Sequence, residues 1–270
     1  MKVAIQGIKG SYHHQVARQL YGDVALLECN SFDQLVIAVA KADADTGIMA
    51  IGNSIAGSIL PNYTLIKEQG LTITGEFYLH IKHQLMALHG QGIKNIEEVQ
   101  SHPMALLQCK PFFRKHQHIK LVETDDTAAA AFRIAKEKKR GVAAVASTQA
   151  AQLYGLKIIS DNIQQVKKNA TRFVVVEKTS RNIDGANKAT INFTAGHQPG
   201  SLGKILTTLG GLNINLSKIQ SVPIIEKPFL FSFVADLEFE SVSQFELAKL
   251  EIGILVESLE VLGVYKSHVL

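Results

Sequence analysis

The chain has 270 residues, 46% of them hydrophobic and 19% charged, with a formal net charge of +4. That balance fits a globular protein of two or three units and excludes an intrinsically disordered chain. The bases form no long tract: Lys136 to Arg140 closes a helical pattern, where cations suit the helix dipole, so nucleic acid is not an expected partner.

Short apolar runs alternate with helical patterns. Val3-Ala4-Ile5 reads as a strand and Gly7 to Gly10 as a turn, after which Ser11 can cap a helix carrying Val16, Ala17 and Leu20. Ala25-Leu26-Leu27 is a second strand, Ser31 caps a second helix, and Gly47 to Ile51 is a third strand whose continuous apolar character implies cover on both faces. This βαβαβ rhythm predicts a parallel sheet. Leu71 to Leu88 then reads as strands that cross into a second lobe, with a helix after Pro103, a strand Lys120 to Val122, a helix Thr127 to Lys138, a strand Val142 to Ala146 and a helix Ser147 to Tyr154. The strand after Thr171 is expected to return to the first lobe. The expected units are residues 1–180, with lobe one about 1–75 and 160–180 and lobe two about 76–159, and a third unit over 187–270 beyond a polar linker. That last unit reads as strand, helix, strand, strand (Phe229 to Val234), helix, strand, a ferredoxin-like βαββαβ sandwich.

Asn169-Ala170-Thr171-Arg172-Phe173, leading into Val174-Val175-Val176, sets a hydroxyl beside a guanidinium at the mouth of a buried strand. Arg presents a planar fork that matches a carboxylate, and Thr offers a hydroxyl that can donate or accept. The pairing suits a small anionic, oxygen-rich substrate; the plainer alternative is a strand-opening Thr beside an Arg in an ion pair. Four strand-to-helix junctions carry small or hydroxylic residues: around Gly7 to Ser11, Asn53-Ser54 with Gly57, Asp126-Thr127, and Ser147. Each leaves backbone N–H groups at a helix start, where an anion is favoured, although plain capping accounts for any one of them. His102 precedes Pro103 and reads either as a general base or as a local cap. No GxGxxG, GxSxG or HExxH is present, so a dinucleotide fold, an acyl-transfer hydrolase and a zinc protease have no support. Cys29 and Cys109 are far apart, which fits a reducing cytoplasm better than a disulfide framework. Met1 to Gly7 lacks a signal-peptide core and no stretch approaches bilayer-spanning length, so no membrane association is expected.

Taken in order, these motifs resemble the prephenate dehydratase family over nearly the whole chain: Gly7 to Tyr12, Asn53-Ser54 with Gly57-Ser58, Ser101-His102-Pro103 through Gln108-Cys109, Asp126 to Ala130, Ala146-Ser147 with Tyr154-Gly155-Leu156, and Thr171-Arg172-Phe173. Pro199-Gly200-Ser201-Leu202 and Asn213 to Ile219 resemble an ACT regulatory domain. The resemblance implies a two-lobed, periplasmic-binding-protein-like α/β catalytic domain with an interlobe cleft. It implies decarboxylating dehydration of prephenate to phenylpyruvate without cofactor or metal, in a homodimer or homotetramer controlled by L-phenylalanine. Thr171, Arg172 and Phe173 are the implied catalytic residues. Asn53, Ser54, Gly57, Ser11, Thr127, Ser147 and His102 are the implied substrate-binding residues, and Gly200, Ser201, Leu202, Asn213 and Asn215 the implied effector site. Gly52 and Ala56 stand where the family has Glu, which predicts fewer carboxylates in the cleft. Met104 replaces a Gln, and Gln220-Ser221-Val222-Pro223 replaces Glu-Ser-Arg-Pro, which predicts weaker or altered inhibition. Arogenate dehydration, and a non-catalytic amino-acid sensor or solute-binding module, are the alternatives.

Overall fold

The computed structural model describes residues 1–180, 184–224, 227 and 230–268. The first lobe begins β1 (Lys2–Gln6), α1 (Tyr12–Tyr21), β2 (Ala25–Cys29), α2 (Phe32–Ala40), β3 (Thr46–Asn53), β4 (Gly57–Ser58), α3 (Leu60–Glu68) and β5 (Thr72–His80). Ser11 and Ser31 cap α1 and α2 by accepting from the amides of His14 and Gln34. The chain leaves this sheet only after His80, five residues beyond the expected boundary at 75. The second lobe follows with β6 (Gln84–Ala87), β7 (Glu98–Ser101), α4 (Pro103–Phe113), β8 (Lys120–Glu123), α5 (Thr127–Glu137), β9 (Val142–Ala146), α6 (Thr148–Tyr154) and β10 (Lys157–Ser160). Then β11 (Ala170–Glu177) returns to the first lobe. It inserts antiparallel between β3 and β5, so the first sheet runs β2-β1-β3-β11-β5 and the second β10-β6-β9-β7-β8.

Central position explains the uninterrupted apolar run in β11. Val174 and Val176 pack with Met49, Ile51, Leu35 and Val36 on one face of the sheet. Phe173 and Val175 pack with Ile48, Ala50, Val16 and Ala17 on the other. Residues of alternate parity therefore enter different cores. At the lobe junction a Cβ added to Gly10, whose φ is +90°, would lie 3.2 Å from Cα of Ala150, so the close approach of the opening turn to α6 requires glycine.

The third unit comprises β12 (Lys188–Ala195), α7 (Ser201–Gly211), β13 (Asn215–Pro223), β14 (Phe231–Glu238), α8 (Val242–Gly253) and β15 (Val256–Tyr265), with sheet order β13-β14-β12-β15. This is the expected βαββαβ sandwich; Phe229, the expected start of its third strand, lies outside the described residues. Its core of Ile191, Phe193, Ile205, Leu209, Phe245 and Ile252 is its own. Its open sheet face docks on the first lobe, where Val234, Leu262 and Tyr265 join the core of β3 and β11. Among the described residues no helix is long and apolar enough to cross a membrane.

Candidate active site

A cavity of about 310 Å³ lies between the two lobes. The amino termini of α1, α4 and α5 open onto it through Ser11 and Tyr12, His102 and Met104, and Asp126 and Thr127. Such termini present unpaired N–H groups and favour anions. Its floor is the end of the first sheet, where Asn53 of β3 pairs in register with Thr171 of β11 and both line the cavity with Phe173.

A hydrogen-bonded chain runs through this cavity, and two backbone amides fix its polarity. Asn53 Oδ1 accepts from the N–H of Ile55 at 2.9 Å and of Ala56 at 3.0 Å, so its Nδ2 must be the group that faces Thr171 and Asn169. Asn53 Nδ2 donates to Thr171 Oγ1 at 2.9 Å and to Asn169 Oδ1 at 2.7 Å. Asn169 Nδ2 in turn donates to Gln108 Oε1 at 2.9 Å, and His83 Nε2 lies 3.0 Å from the same oxygen. His83 therefore carries its proton on Nε2. Its Nδ1 is left to accept from Tyr12 Oη at 2.9 Å, whose single proton is shared with the Lys82 carbonyl at 3.0 Å. Burial lowers the His83 pKa to about 4, although the hydrogen bond to Gln108 opposes this, so the neutral tautomer is the resting form. At the far end, Thr171 already accepts from Asn53, and its own proton is left to point into the cavity.

Not every expected residue reaches this cleft. Thr171, Phe173, Asn53, Ser11, His102 and Thr127 line it. Ser147 does not: it caps α6 through the amide of Ala150 and donates to the Gly10 carbonyl at 2.8 Å, tying the lobes together. Ser54 accepts from the Ala170 amide at 3.0 Å, Gly57 turns the hairpin from β3 to β4 with φ +82°, and both line a different cavity. His102 caps α4 by accepting from the Met104 amide.

Arg172 corrects the expectation most sharply. It lies between Thr171 and Phe173 on a strand, so its side chain leaves by the opposite face. Its Nε donates to Glu76 at 2.7 Å, its Nη1 to Asp236, and its Nη2 to the Tyr265 hydroxyl at 2.7 Å. Asp236 and Tyr265 belong to the third unit, so the guanidinium bolts that unit to the catalytic sheet and is not available to a carboxylate in the cleft. Burial alone would raise the Asp236 pKa, but Arg172 outweighs it and holds the carboxylate charged.

The same register corrects the reading of Gly52. It pairs with Arg172, so a side chain at position 52 would face the third unit and not the cleft. The cleft is also not without carboxyls. Asp125 and Asp126 line it, and burial raises the Asp126 pKa against the lowering effect of amide hydrogen bonds from Ala129 and Ala128. The sequence alone marks no role in the cleft for Tyr12, His83, Gln108 and Asn169. The usable signal was polar residues within otherwise apolar segments, most plainly Gln108 on the apolar face of α4.

The expected effector residues are divided. Gly200, with φ +83°, Ser201 and Leu202 line a cavity of about 600 Å³ at the start of α7. Asn213 and Asn215 lie beyond the other end of that helix, and Asn215 Nδ2 donates to Glu238 at 2.9 Å.

Fold and site together define a cleft enzyme for a small anionic substrate, with a sandwich unit docked behind the catalytic sheet. The prephenate dehydratase family model matches residues 3–181, and the chain belongs to that family. It is 36% identical to arogenate dehydratase/prephenate dehydratase 2, chloroplastic, of Arabidopsis thaliana, over 98% of this chain and 72% of the plant protein. Among solved structures, the prephenate dehydratase of Staphylococcus aureus superposes with a TM-score of 0.85 at 25% identity, over 98% of this chain and 100% of that one. GqqA, described as a novel type of quorum quenching acylase, superposes with a TM-score of 0.89 at 28% identity, over 99% of this chain and 98% of that one. The chain is an enzyme of the prephenate dehydratase type, a carbon–oxygen lyase.

Proposed function

We propose that this enzyme converts prephenate to phenylpyruvate, water and CO2 in the interlobe cleft, with Thr171 as the group that assists departure of the ring hydroxyl. The carrying observation is the polarity of the Asn53–Thr171 hydrogen bond: Thr171 accepts from Asn53 Nδ2, so its proton is free for the substrate. In the reaction the ring–carboxylate bond breaks and its electron pair enters the ring. The carbon–oxygen bond at the opposite ring position breaks, and the departing hydroxide takes a proton to become water. Aromatisation drives both cleavages, so the protein's work is to hold the dianion and stabilise the leaving oxygen. The amino termini of α1, α4 and α5 receive the carboxylates, a task that falls to backbone N–H groups because Arg172 is engaged elsewhere. Asp126, kept protonated to higher pH by burial, is suited to replace the proton that leaves with water.

The third unit reads as an ACT domain in which phenylalanine binds between two copies of the chain. Gly200, Ser201 and Leu202 of one copy and Asn213 and Asn215 of another would form the site, since a single chain holds these groups at opposite ends of α7. That arrangement needs at least two copies of the chain, as in a homodimer or homotetramer. Acyl hydrolysis, as named for GqqA, finds no nucleophile–base pair: among the described residues no Ser, Thr or Cys side chain bonds a histidine ring, and Ser54 Oγ is taken by the Ala170 amide.

Incubating purified protein with prephenate, and separately with arogenate, while following phenylpyruvate and phenylalanine tests the assignment. A higher kcat/KM for prephenate is expected. No product from either compound would refute it.

A further inference from the structure

A cavity of about 360 Å³ lies between the first lobe and the third unit, behind the catalytic sheet, with Gly52, Ser54, Tyr78, Ser217 and Lys218 in its wall. The carboxylates around it are already engaged. Asp236 serves Arg172 and Thr190, Glu76 serves Arg172 and Lys188, and Glu238 lies 3.6 Å from Lys188 and accepts from Asn215. Lys218 is the cation left over. Among the described residues it has no carboxylate within ion-pair distance. Its Nζ donates to the Tyr63 hydroxyl at 2.5 Å and stands 4.2 Å above that ring. Across the cavity, a Cβ added at Gly52 would meet nothing closer than the Gly57 carbonyl oxygen at 3.5 Å. Position 52 thus has room for a side chain and lacks one. A half-buried ammonium without a counter-ion is costly, and burial with the charges of Arg172 and Lys188 lowers its pKa to about 8 despite the pull of Asp236.

We propose that this cavity is a binding site for a small aliphatic monocarboxylate, whose carboxylate pairs with Lys218 and whose carbon chain occupies the space left by the absent side chain at position 52. The site is separate from the interlobe cleft and from the cavity at Gly200. Its walls include Ala170 and Arg172 on one strand and Asn53 and Ser54 on the next, so an occupant touches the strands that carry Thr171 and Asn53.

Propionate is the probe, because it matches a glutamate side chain cut at the backbone. Titration calorimetry and thermal unfolding of the full chain should show saturable binding of propionate but not of propionamide or chloride. The rise in Tm should be about 3 °C at ten times Kd. Lys218→Met should weaken binding at least about tenfold, whereas Lys218→Arg should keep it, as expected for a charge-assisted contact. Gly52→Glu should supply the carboxylate internally, unfold at higher temperature and no longer respond to propionate. If Gly52→Glu fails to fold, the two Lys218 variants carry the test. Propionate no more effective than propionamide would overturn the proposal. So would binding that persists unchanged in Lys218→Met, since the carboxylate would then sit elsewhere, the cleft included.

Discussion

Thr171 and Arg172 are adjacent in the chain and face opposite sides of the same sheet. Thr171 looks into the interlobe cleft beside Asn53, and Arg172 into the junction with the third unit beside Glu76, Asp236 and Tyr265. The triplet Thr171-Arg172-Phe173 therefore serves two faces, presenting Thr171 to the cleft and anchoring the third unit through Arg172. Both residues lie on β11, so the strand that positions Thr171 also carries the anchor of the third unit.

Arg172→Ala should act on stability before it acts on substrate binding. It leaves Asp236, its side chain 1% exposed, without an ion-pair partner and with the Thr190 hydroxyl still donating to it, and leaves Glu76, 0% exposed, ion-paired with Lys188 alone. Removing one partner of such a network costs about 3–5 kcal/mol. Urea denaturation should show that loss, with KM for prephenate nearly unchanged under conditions where the variant remains folded. Unaltered stability with a raised KM would return the guanidinium to the cleft.

Asn53→Asp tests the polarity of the network. A carboxylate can only accept, so it would draw the Thr171 proton toward itself and lose the bond to Asn169 Oδ1. A fall in kcat of about 100-fold is expected, the lower range for losing a positioned proton donor. Steady-state kinetics with wild-type kcat would show that the direction of this hydrogen bond is immaterial.

Acid sensitivity should come from two buried histidines. Burial lowers the pKa of His83 to about 4 and of His13 to about 3, from an ordinary 6.5. The unfolded chain takes up these protons first as pH falls. Their contribution is therefore complete above 6.5 and declines between 6.5 and the folded values, by about 1.4 kcal/mol per pH unit for each group. His13 packs edge-on against Phe173 and Phe32, so His13→Phe can be accommodated. It should reduce the stability difference between pH 7 and pH 5 by about 2 kcal/mol. An unchanged difference in urea unfolding would show that His13 is already protonated in the fold.

Gly263 is where β15 crosses β5. A Cβ there would lie 2.1 Å from the Ile73 carbonyl oxygen, so the strands must part. Gly263→Ala should cost about 1–3 kcal/mol, the usual range for overpacking. It should also make the third unit more accessible to limited proteolysis at the junction. Wild-type stability and cleavage would mean that the two units dock more loosely than this contact implies.

How far the sequence could be read follows from where its signals are local. Capping serines, glycine turns and apolar periodicity lie within single elements, so the three sheets and most helices were visible in them. α3 was not, because Leu60–Glu68 begins with Ile59 at its cap, where no side chain bonds the backbone, and carries little amphipathic pattern. Thr171 and Asn53 stood out because a hydroxyl and an amide stand at the ends of apolar strands, at the start of β11 and the close of β3. The face taken by Arg172 did not, because β11 is buried on both sides and the run Val174 to Val176 hides the alternation. Nor did the chain from Tyr12 to His83, Gln108 and Asn169, whose members are dispersed over four segments and meet only once both lobes have formed.

The most direct test of the account compares Thr171→Val and Thr171→Ser with the wild type in single-turnover and steady-state assays on prephenate. Val keeps the shape and removes the hydroxyl, while Ser keeps the hydroxyl. If Thr171 donates to the leaving oxygen, Thr171→Val should lower kcat by about 10²–10⁴-fold with little change in KM, and Thr171→Ser should retain most activity. A Thr171→Val enzyme with kcat close to wild type would contradict the central claim.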